Sequence, residues 1–448
     1  MNSFFCKGYS LTHIVLLLSL AAPICTTANT AESQPAFHCI VHAHSDISSG
    51  KSSLQGLTSL ARSNRIDAIF LTDNLTRQIQ FGLPPLRNVF WAGWSLDSIM
   101  TRGVRNYLDA IGEENRRQTN VLYIPGVETC PRTYWTGTPW QRNLVCHDHQ
   151  KNLMVLGLKD PDLVAQLPEG VGYVRGRHTP WIVATRILLV LLLAALLLAW
   201  RAAPRLARRT DYSTREIRAS LCLTLILPLI LLMGVCEFLA RKNPALQIYG
   251  EDAAERNIRR IIRRLSDSGH FTYWAHPEAK DHHVFTVAGI PFTADTRPYP
   301  ELLQVTDGYN AFGGVYEDLN TLYEPGNVWD SLLQEYLEGV REKPIWCLGE
   351  MLYHYEGQAG KTLRNVETII WAPEKTEKAL LDALSRGRFY ARRNSGDQSL
   401  EVTTWSVAGG RSGDIVTNQS SSSVDLLLEV TSTNTNEPIE IKIIRNGQ

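Results

Sequence analysis

Two histidines one residue apart, His42-Ala43-His44, close an apolar run near the start of the chain. On a β-strand, residues i and i+2 face the same side, so the two imidazoles point together and make half of a metal site. Such a pair, taken alone, is more often structural. Four further apolar runs end in side chains that can bind metal or move protons: Leu71-Thr72-Asp73-Asn74, Ile124-Pro125-Gly126-Val127-Glu128, Trp274-Ala275-His276-Pro277 and Gly349-Glu350-Met351-Leu352-Tyr353-His354. Any one of them is satisfied by a plain structural role. Five in one chain favour a metal centre. His147, His149, His282 and His283 read as spare imidazoles in solvated loops.

The elements that must position these groups alternate in type. Strands are expected at 37–44, 67–72, 121–128, 152–158, 271–275, 344–349 and 366–371. Helices are expected at 51–64, 99–118, 253–265, 328–340 and 375–386, where apolar residues recur at helical spacing. Alternation of this kind predicts an α/β fold built on a parallel sheet or barrel, with its site at the carboxyl ends of the strands. From about Gly396 the composition shifts to Ser, Thr and Asn, and runs at 400–405, 424–430 and 439–444 read as strands of a small β module.

The ordered set of motifs resembles the PHP family, named for its polymerase and histidinol phosphatase members. HAHS at 42–45, LTDN at 71–74, PGVE at 125–128 and AHPE at 275–278 match its motifs in order, and ALSRGRFYARR at 383–393 is similar to the stretch that closes the domain. The resemblance spans roughly 37–394. It implies a distorted (β/α) barrel with up to three metal ions at the strand ends, and an enzyme that cleaves phosphate esters. Four positions depart from the family pattern. Asn74 and Asn152 stand where His is usual, Ser48-Ser49-Gly50 replaces Ser-Asp-Gly, and Leu352-Tyr353-His354 replaces Asp-x-His. The ligands that remain are His42, His44, Glu128, His276 and His354, with Glu350 two residues from the lost acid and placed to compensate. This set suits one or two divalent ions (Zn, Mn or Fe) rather than three. His42, His44 and Glu128 would hold one ion, and Glu128 would bridge to a second held by His276. Asp73 would orient a water or a histidine from outside the ligand set.

Composition sets the compartment. The chain has 448 residues, with 45 Lys+Arg against 45 Asp+Glu, and the zero net charge argues against nucleic acid as a partner. Residues 1–31 read as a signal peptide, with Lys7 before the apolar run 14–24 and small residues after it. Cys25 lacks the small residue before it that lipidation needs. The runs 187–200 and 219–236 carry no charge, and the loop between them, 201–218, holds Arg201, Arg205, Arg208, Arg209, Arg215 and Arg218 against Asp211 and Glu216. This predicts a two-helix transmembrane hairpin at 181–241 with a cytoplasmic loop, the lipid bilayer as partner, and a periplasmic or extracytoplasmic main domain. That domain is then cut into halves at 32–180 and 242–395, with a β-sandwich-like module at 396–448. In such a compartment Cys130 and Cys146 are a candidate disulfide pair.

Three functions stay open on these residues. The first is a metal-dependent phosphoesterase at the outer membrane face, acting on a small phosphorylated substrate through a metal-activated water. The second is a catalytically inactive, membrane-anchored binding or sensing relative. The third is a metal hydrolase of a non-phosphate ester or amide.

Overall fold

The structure is a computed structural model that describes residues 14–17, 34–82, 91–131, 133–170, 180–210, 212–221, 224, 226–241, 251–287, 289–316, 321–394, 400–416, 423–433 and 439–445. Its centre is one nine-stranded sheet. In chain order the strands are β1 Ala36–Ala43, β2 Ala68–Leu71, β3 Leu122–Thr129, β4 Leu153–Leu156, β5 Phe271–Trp274, β6 Ala311–Val315, β7 Trp346–Gly349, β8 Val366–Trp371 and β9 Phe389–Arg393. Their spatial order is β7-β6-β5-β4-β3-β2-β1-β8-β9. The parallel expectation holds for β1-β2-β3 and for β5-β6-β7. It fails at β4, antiparallel to both neighbours, and at β8 and β9. The alternation of types misleads here because β4 follows a strand-rich excursion rather than a helix, and no crossover returns it to the parallel direction.

Alternate residues of each strand enter two separate cores. Ile40, Ile69, Tyr123 and Val155 pack outward against the helices Leu54–Ser63, Val104–Arg117, Glu251–Asp267 and Val328–Leu337. Val41, Phe70, Ile124, Met154, Tyr273 and Leu348 pack on the other face, joined by Leu380 and Leu384 of the helix Glu377–Ser385. The sheet is nearly closed, so this second set fills a distorted barrel. The expected helix 99–118 is two helices, Ile99–Arg102 and Val104–Arg117. Gly103 between them has φ +95°, which helical backbone excludes.

Two smaller sheets were not foreseen. Asp281–Val287, Ile290–Thr296, Leu144–His147 and Tyr134–Thr136 form a four-stranded sheet, and the hairpin Gln78–Gly82 with Trp91–Ser95 supplies Ile79 and Phe81 to its apolar side. His147, His282 and His283 therefore lie on strands, not in loops. His149 pairs with Asp281 at 2.6 Å. The dense His, Asp and Thr content of these segments hides their strand pattern. At the C-terminus Leu400–Val407 and Leu426–Ser432 form a two-stranded antiparallel sheet. Val402 and Trp405 pack against Ile369 of β8 and Tyr390 of β9. The described part of 396–448 thus leans on the main sheet instead of making its own sandwich.

One helix, Ile187–Ala207, is long and apolar enough to cross a membrane, and its leucines are largely exposed. The second apolar run is present as two helical pieces, Thr214–Leu221 and Leu227–Arg241, so it does not form a single spanning helix of that length among the described residues. Leu227–Arg241 packs back on the long helix through Leu189 and Leu229. Of the expected signal peptide only Ile14–Leu17 is described, as a short strand beside Ile441–Ile444, and the rest lies outside the described residues. Cys130 and Cys146 are free and buried, as are Cys39 and Cys347, so the candidate disulfide is absent.

Candidate metal centre

The site is built where β1 ends. The register of β1 on β2 runs Val41↔Phe70 and then Ala43↔Leu71, leaving His42 as an extra residue with φ +69°. A bulge of this kind bends a strand and re-aims its side chains. The segment after β7 closes the barrel at the same place. The amide of Met351 donates to Val41 O (2.9 Å), that of Tyr353 to His42 O (3.0 Å) and that of His44 to Tyr353 O (2.9 Å). Glu350, at the tip of β7, is thereby laid against His42. Gly313 makes room for it, since a Cβ at 313 would fall 1.9 Å from a Glu350 carboxylate oxygen. His276 follows β5 with φ +32°, and Leu352 has φ +45°. Three non-glycine residues in the left-handed region, all at one site, mark backbone strain that the surrounding hydrogen bonds hold in place.

The donors converge. His42 Nδ1–H donates to Glu350 Oε1 at 2.5 Å, which leaves the Nε2 lone pair facing the other way. That atom lies 3.0 Å from His44 Nε2 and 3.9 Å from Glu128 Oε2, and His44 Nε2 lies 3.4 Å from the same oxygen. A point equidistant from these three atoms sits about 2.0 Å from each. Zn–N and Zn–O bonds measure ~2.0–2.2 Å. His276 Nδ1 is buried with no hydrogen-bond partner, 3.7 Å from Glu350 Oε1, and its backbone amide donates to Glu350 Oε2 at 2.6 Å. His42, His276 and Glu350 form a second potential ligand group that shares His42 with the first. The donor triangle and the orphaned imidazole nitrogen fit a divalent cation.

Electrostatics agrees with that fit. Burial, then the charges of Glu350 and Asp73, push Glu128 up to about 8. Burial holds His42 below its ordinary value, and holds His44 well below, where His354 and His42 add to the effect. These imidazoles are neutral and free to ligate. Glu350 goes the other way. Burial pushes it up, but hydrogen bonds from His276 and His42 outweigh that and hold it at about 2. An ionised carboxylate behind a histidine's Nδ1–H fixes the tautomer and strengthens Nε2 as a ligand.

The remaining predicted residues fall into supporting places. Glu350, read from sequence as a compensating ligand, contacts His42 directly and orients it, as well as standing beside His276. Asp73 is fully buried and accepts from the Ser45 amide and hydroxyl (2.8 Å each) and from Ser48 Oγ (2.5 Å). Ser48 Oγ in turn lies 3.5 Å from His44 Nδ1, so Asp73 reaches a histidine only through a serine. Burial raises it to about 6. His354 is in neither ligand group among the described residues. Its ring stacks on His44 at 4.3 Å, and its Nδ1 lies 2.9 Å from Ser49 Oγ. The two asparagines at family histidine positions also have partners. Asn152 Nδ2 donates to Glu128 Oε1, and Asn74 Nδ2 donates to Ser49 Oγ at 2.9 Å.

No family model and no curated protein matches the chain. Among solved structures it is similar to a two-domain protein from Bacteroides vulgatus containing a predicted PHP-like metal-dependent phosphoesterase (12% identity over 83% of this chain and 70% of that one, TM-score 0.36). It is also similar to an amidohydrolase from Chromobacterium violaceum with bound sulfate and no metal (14%, 71% and 88%, TM-score 0.28). A Bifidobacterium adolescentis protein with the provisional description of a metal-dependent phosphoesterase gives 12%, 73% and 91%, with TM-score 0.28. The likeness is slight in every case, and the reading of the centre rests on the chain's own motifs and geometry. At the strand ends of a nearly closed, barrel-shaped sheet, three buried donors converge closely enough to hold a metal ion.

Proposed function

We propose that the chain is a metal-dependent hydrolase, and specifically a phosphoesterase, held at the outer face of a membrane by the apolar segment 181–241. The observation that carries this reading is the buried triangle of His42 Nε2, His44 Nε2 and Glu128 Oε2. A divalent ion supplies Lewis-acid polarisation of a phosphoryl oxygen and a water that is acidic near neutral pH. The protein's own groups do the rest. His42 and His44 offer neutral nitrogens, Glu128 offers a carboxylate, and Asn152 holds the other Glu128 oxygen so that Oε2 faces the histidines. Glu350 keeps His42 in the tautomer that presents Nε2. Asp73 clamps the loop 45–48 beneath His44. The arginine excess of the loop 201–218 supports a cytoplasmic position for that loop, which would leave both halves of the barrel outside.

The test is phosphate release from a panel of phosphate monoesters, with a neutral ester and an amide alongside, before and after chelation. Release lost on chelation and restored by Zn, Mn or Fe(II) is the expected result. Metal-dependent cleavage of the neutral ester or amide alone would keep the hydrolase and discard the phosphoesterase. A folded protein with no bound metal and no turnover would leave the binding or sensing role.

A further inference from the structure

Asn74, Ser49 and His354 lie in three of the four segments that depart from the family pattern, and they meet in one hydrogen-bonded set. Asn74 Nδ2 donates to Ser49 Oγ at 2.9 Å, and Ser49 Oγ lies 2.9 Å from His354 Nδ1. A hydroxyl that accepts from an amide keeps its own proton to give, and the imidazole nitrogen is the partner able to take it. His354 then carries its proton on Nε2. The ring is held as well. It stacks on His44 with centroids 4.3 Å apart and planes within 8°. His44 Nδ1 faces Ser48 Oγ at 3.5 Å, and His354 Nδ1 faces the adjacent Ser49, so both rings turn the same edge to this loop. Their Nε2 edges leave the loop together, and that of His44 belongs to the donor triangle. Burial holds His354 at about 4, with His42, Lys361 and His276 adding to the effect, so the ring is neutral at ordinary pH and within the field of both ligand groups. His42 and His44 are wholly buried, whereas His354 is half-buried, on the open side of the centre. It belongs to neither ligand group among the described residues. A neutral N–H fixed at the open side of a metal centre suits an acceptor oxygen, and a phosphoryl group presents charged ones.

We propose that His354 is a substrate-binding residue rather than a metal ligand, and that its Nε2–H holds an oxygen of a phosphate monoester at the centre. The inference rests on the metal-hydrolase reading above and deepens it. It is tested by titrating inorganic phosphate into the metal-loaded full-length protein in detergent, following heat, with metal content and circular dichroism measured on every variant. His354→Phe keeps a ring on His44 and removes both nitrogens. It is expected to retain the wild-type metal count and to bind phosphate weaker by roughly tenfold or more, the loss of one hydrogen bond to a charged oxygen. His354→Gln puts an amide N–H near the place of Nε2 and is expected to recover part of the affinity. Ser49→Ala frees Nδ1 without touching the ring and is expected to weaken phosphate by a smaller factor. A lower metal count in folded His354→Phe would overturn the proposal and make His354 a ligand. Phosphate binding by that variant within about twofold of wild type, with metal retained, would also overturn it and leave the ring a packing role. If His354→Phe does not fold, unchanged phosphate affinity in both His354→Gln and Ser49→Ala would overturn the proposal in its place. A wild type that holds no metal would remove the metal-hydrolase reading itself, whereas a metal-bearing wild type that binds no phosphate would remove only the role of His354.

Discussion

Glu128 and Glu367 are both buried carboxylates on strands of the same sheet, and their surroundings are opposite. Glu367, on β8, accepts from Arg392 Nη2 (2.7 Å), Arg364 Nε (3.0 Å) and Asn394 Nδ2 (2.7 Å), with His38 Nδ1 at 2.8 Å. Burial pushes it up, but these partners outweigh burial and hold it at about 2. Glu128, on β3, accepts from Asn152, and among the described residues its ion-pair partners are only His42 and His44, both held neutral. It is pushed up to about 8. The first cluster is complete within the chain and ties β1, β8 and β9 together. In the second, the ion-pair partners of Glu128 among the described residues are the two imidazoles alone. The difference separates a buried carboxylate whose charge is balanced inside the fold from one whose surroundings suit a bound cation.

Substitutions at the two carboxylates should therefore diverge. Removing one partner of a buried ion cluster costs about 3–5 kcal/mol, so Glu367→Gln is expected to lower stability in denaturant titration by that order and to leave metal content per folded chain unchanged. Glu128→Gln in metal-free protein at pH 7 is expected to leave the Tm unchanged or raised, because that side chain is already mostly protonated there. A large loss of stability in Glu128→Gln would break the contrast. Glu350→Gln, which weakens the hold on His42 Nδ1, is expected to cost about 10–100-fold in metal affinity, measured by competition with a chelating dye.

The pH dependence of the metal-free protein sharpens the same comparison. Glu367 has a folded value near 2, below its ordinary 4.5. The unfolded chain binds the extra proton between these values, so the stability Glu367 contributes is complete above about 4.5 and is lost as pH falls through about 2. Glu128 has a folded value near 8, above its ordinary 4.5. Its contribution is complete below about 4.5 and is lost as pH rises through about 8. Urea titrations across pH are expected to show Glu367→Gln flattening the acid limb and Glu128→Gln flattening the neutral limb. The smallest effect is expected from replacing 181–241 with a flexible linker, after which far-UV circular dichroism and metal content should match those of the parent. An unfolded product would break the reading of one barrel from two chain halves.

Much of the barrel was legible because its strands are short apolar runs and its helices carry one apolar face. Ile40, Ile69, Tyr123 and Val155 gave the pattern away. The direction of β4 was not legible, because periodicity is identical in parallel and antiparallel strands. The four-stranded sheet was hidden by polar residues on its strands, where His282 pairs with Asp295 and His283 with Asp281. At the site, the strand-end positions of His42, His44 and Glu128 were legible, and their reading as ligands came from the ordered motif set rather than from position alone. The role of Glu350 was not, since it depends on the backbone stitch of Met351 and Tyr353 to β1 and on the space left by Gly313. Asn74 and Asn152 read as losses, yet both are hydrogen-bonded supports in the folded chain.

The central claim is that the strand ends hold a metal ion, and metal content tests it most directly. The protein is purified in detergent without chelators or a histidine tag, and bound metal per chain is counted by mass spectrometry. The same count is made on the His42→Ala, His44→Ala double variant, with circular dichroism on both. One or two transition-metal ions in the wild type, absent from the folded variant, is the predicted result. Two folded proteins that both carry no metal, or both carry the same amount, would contradict it.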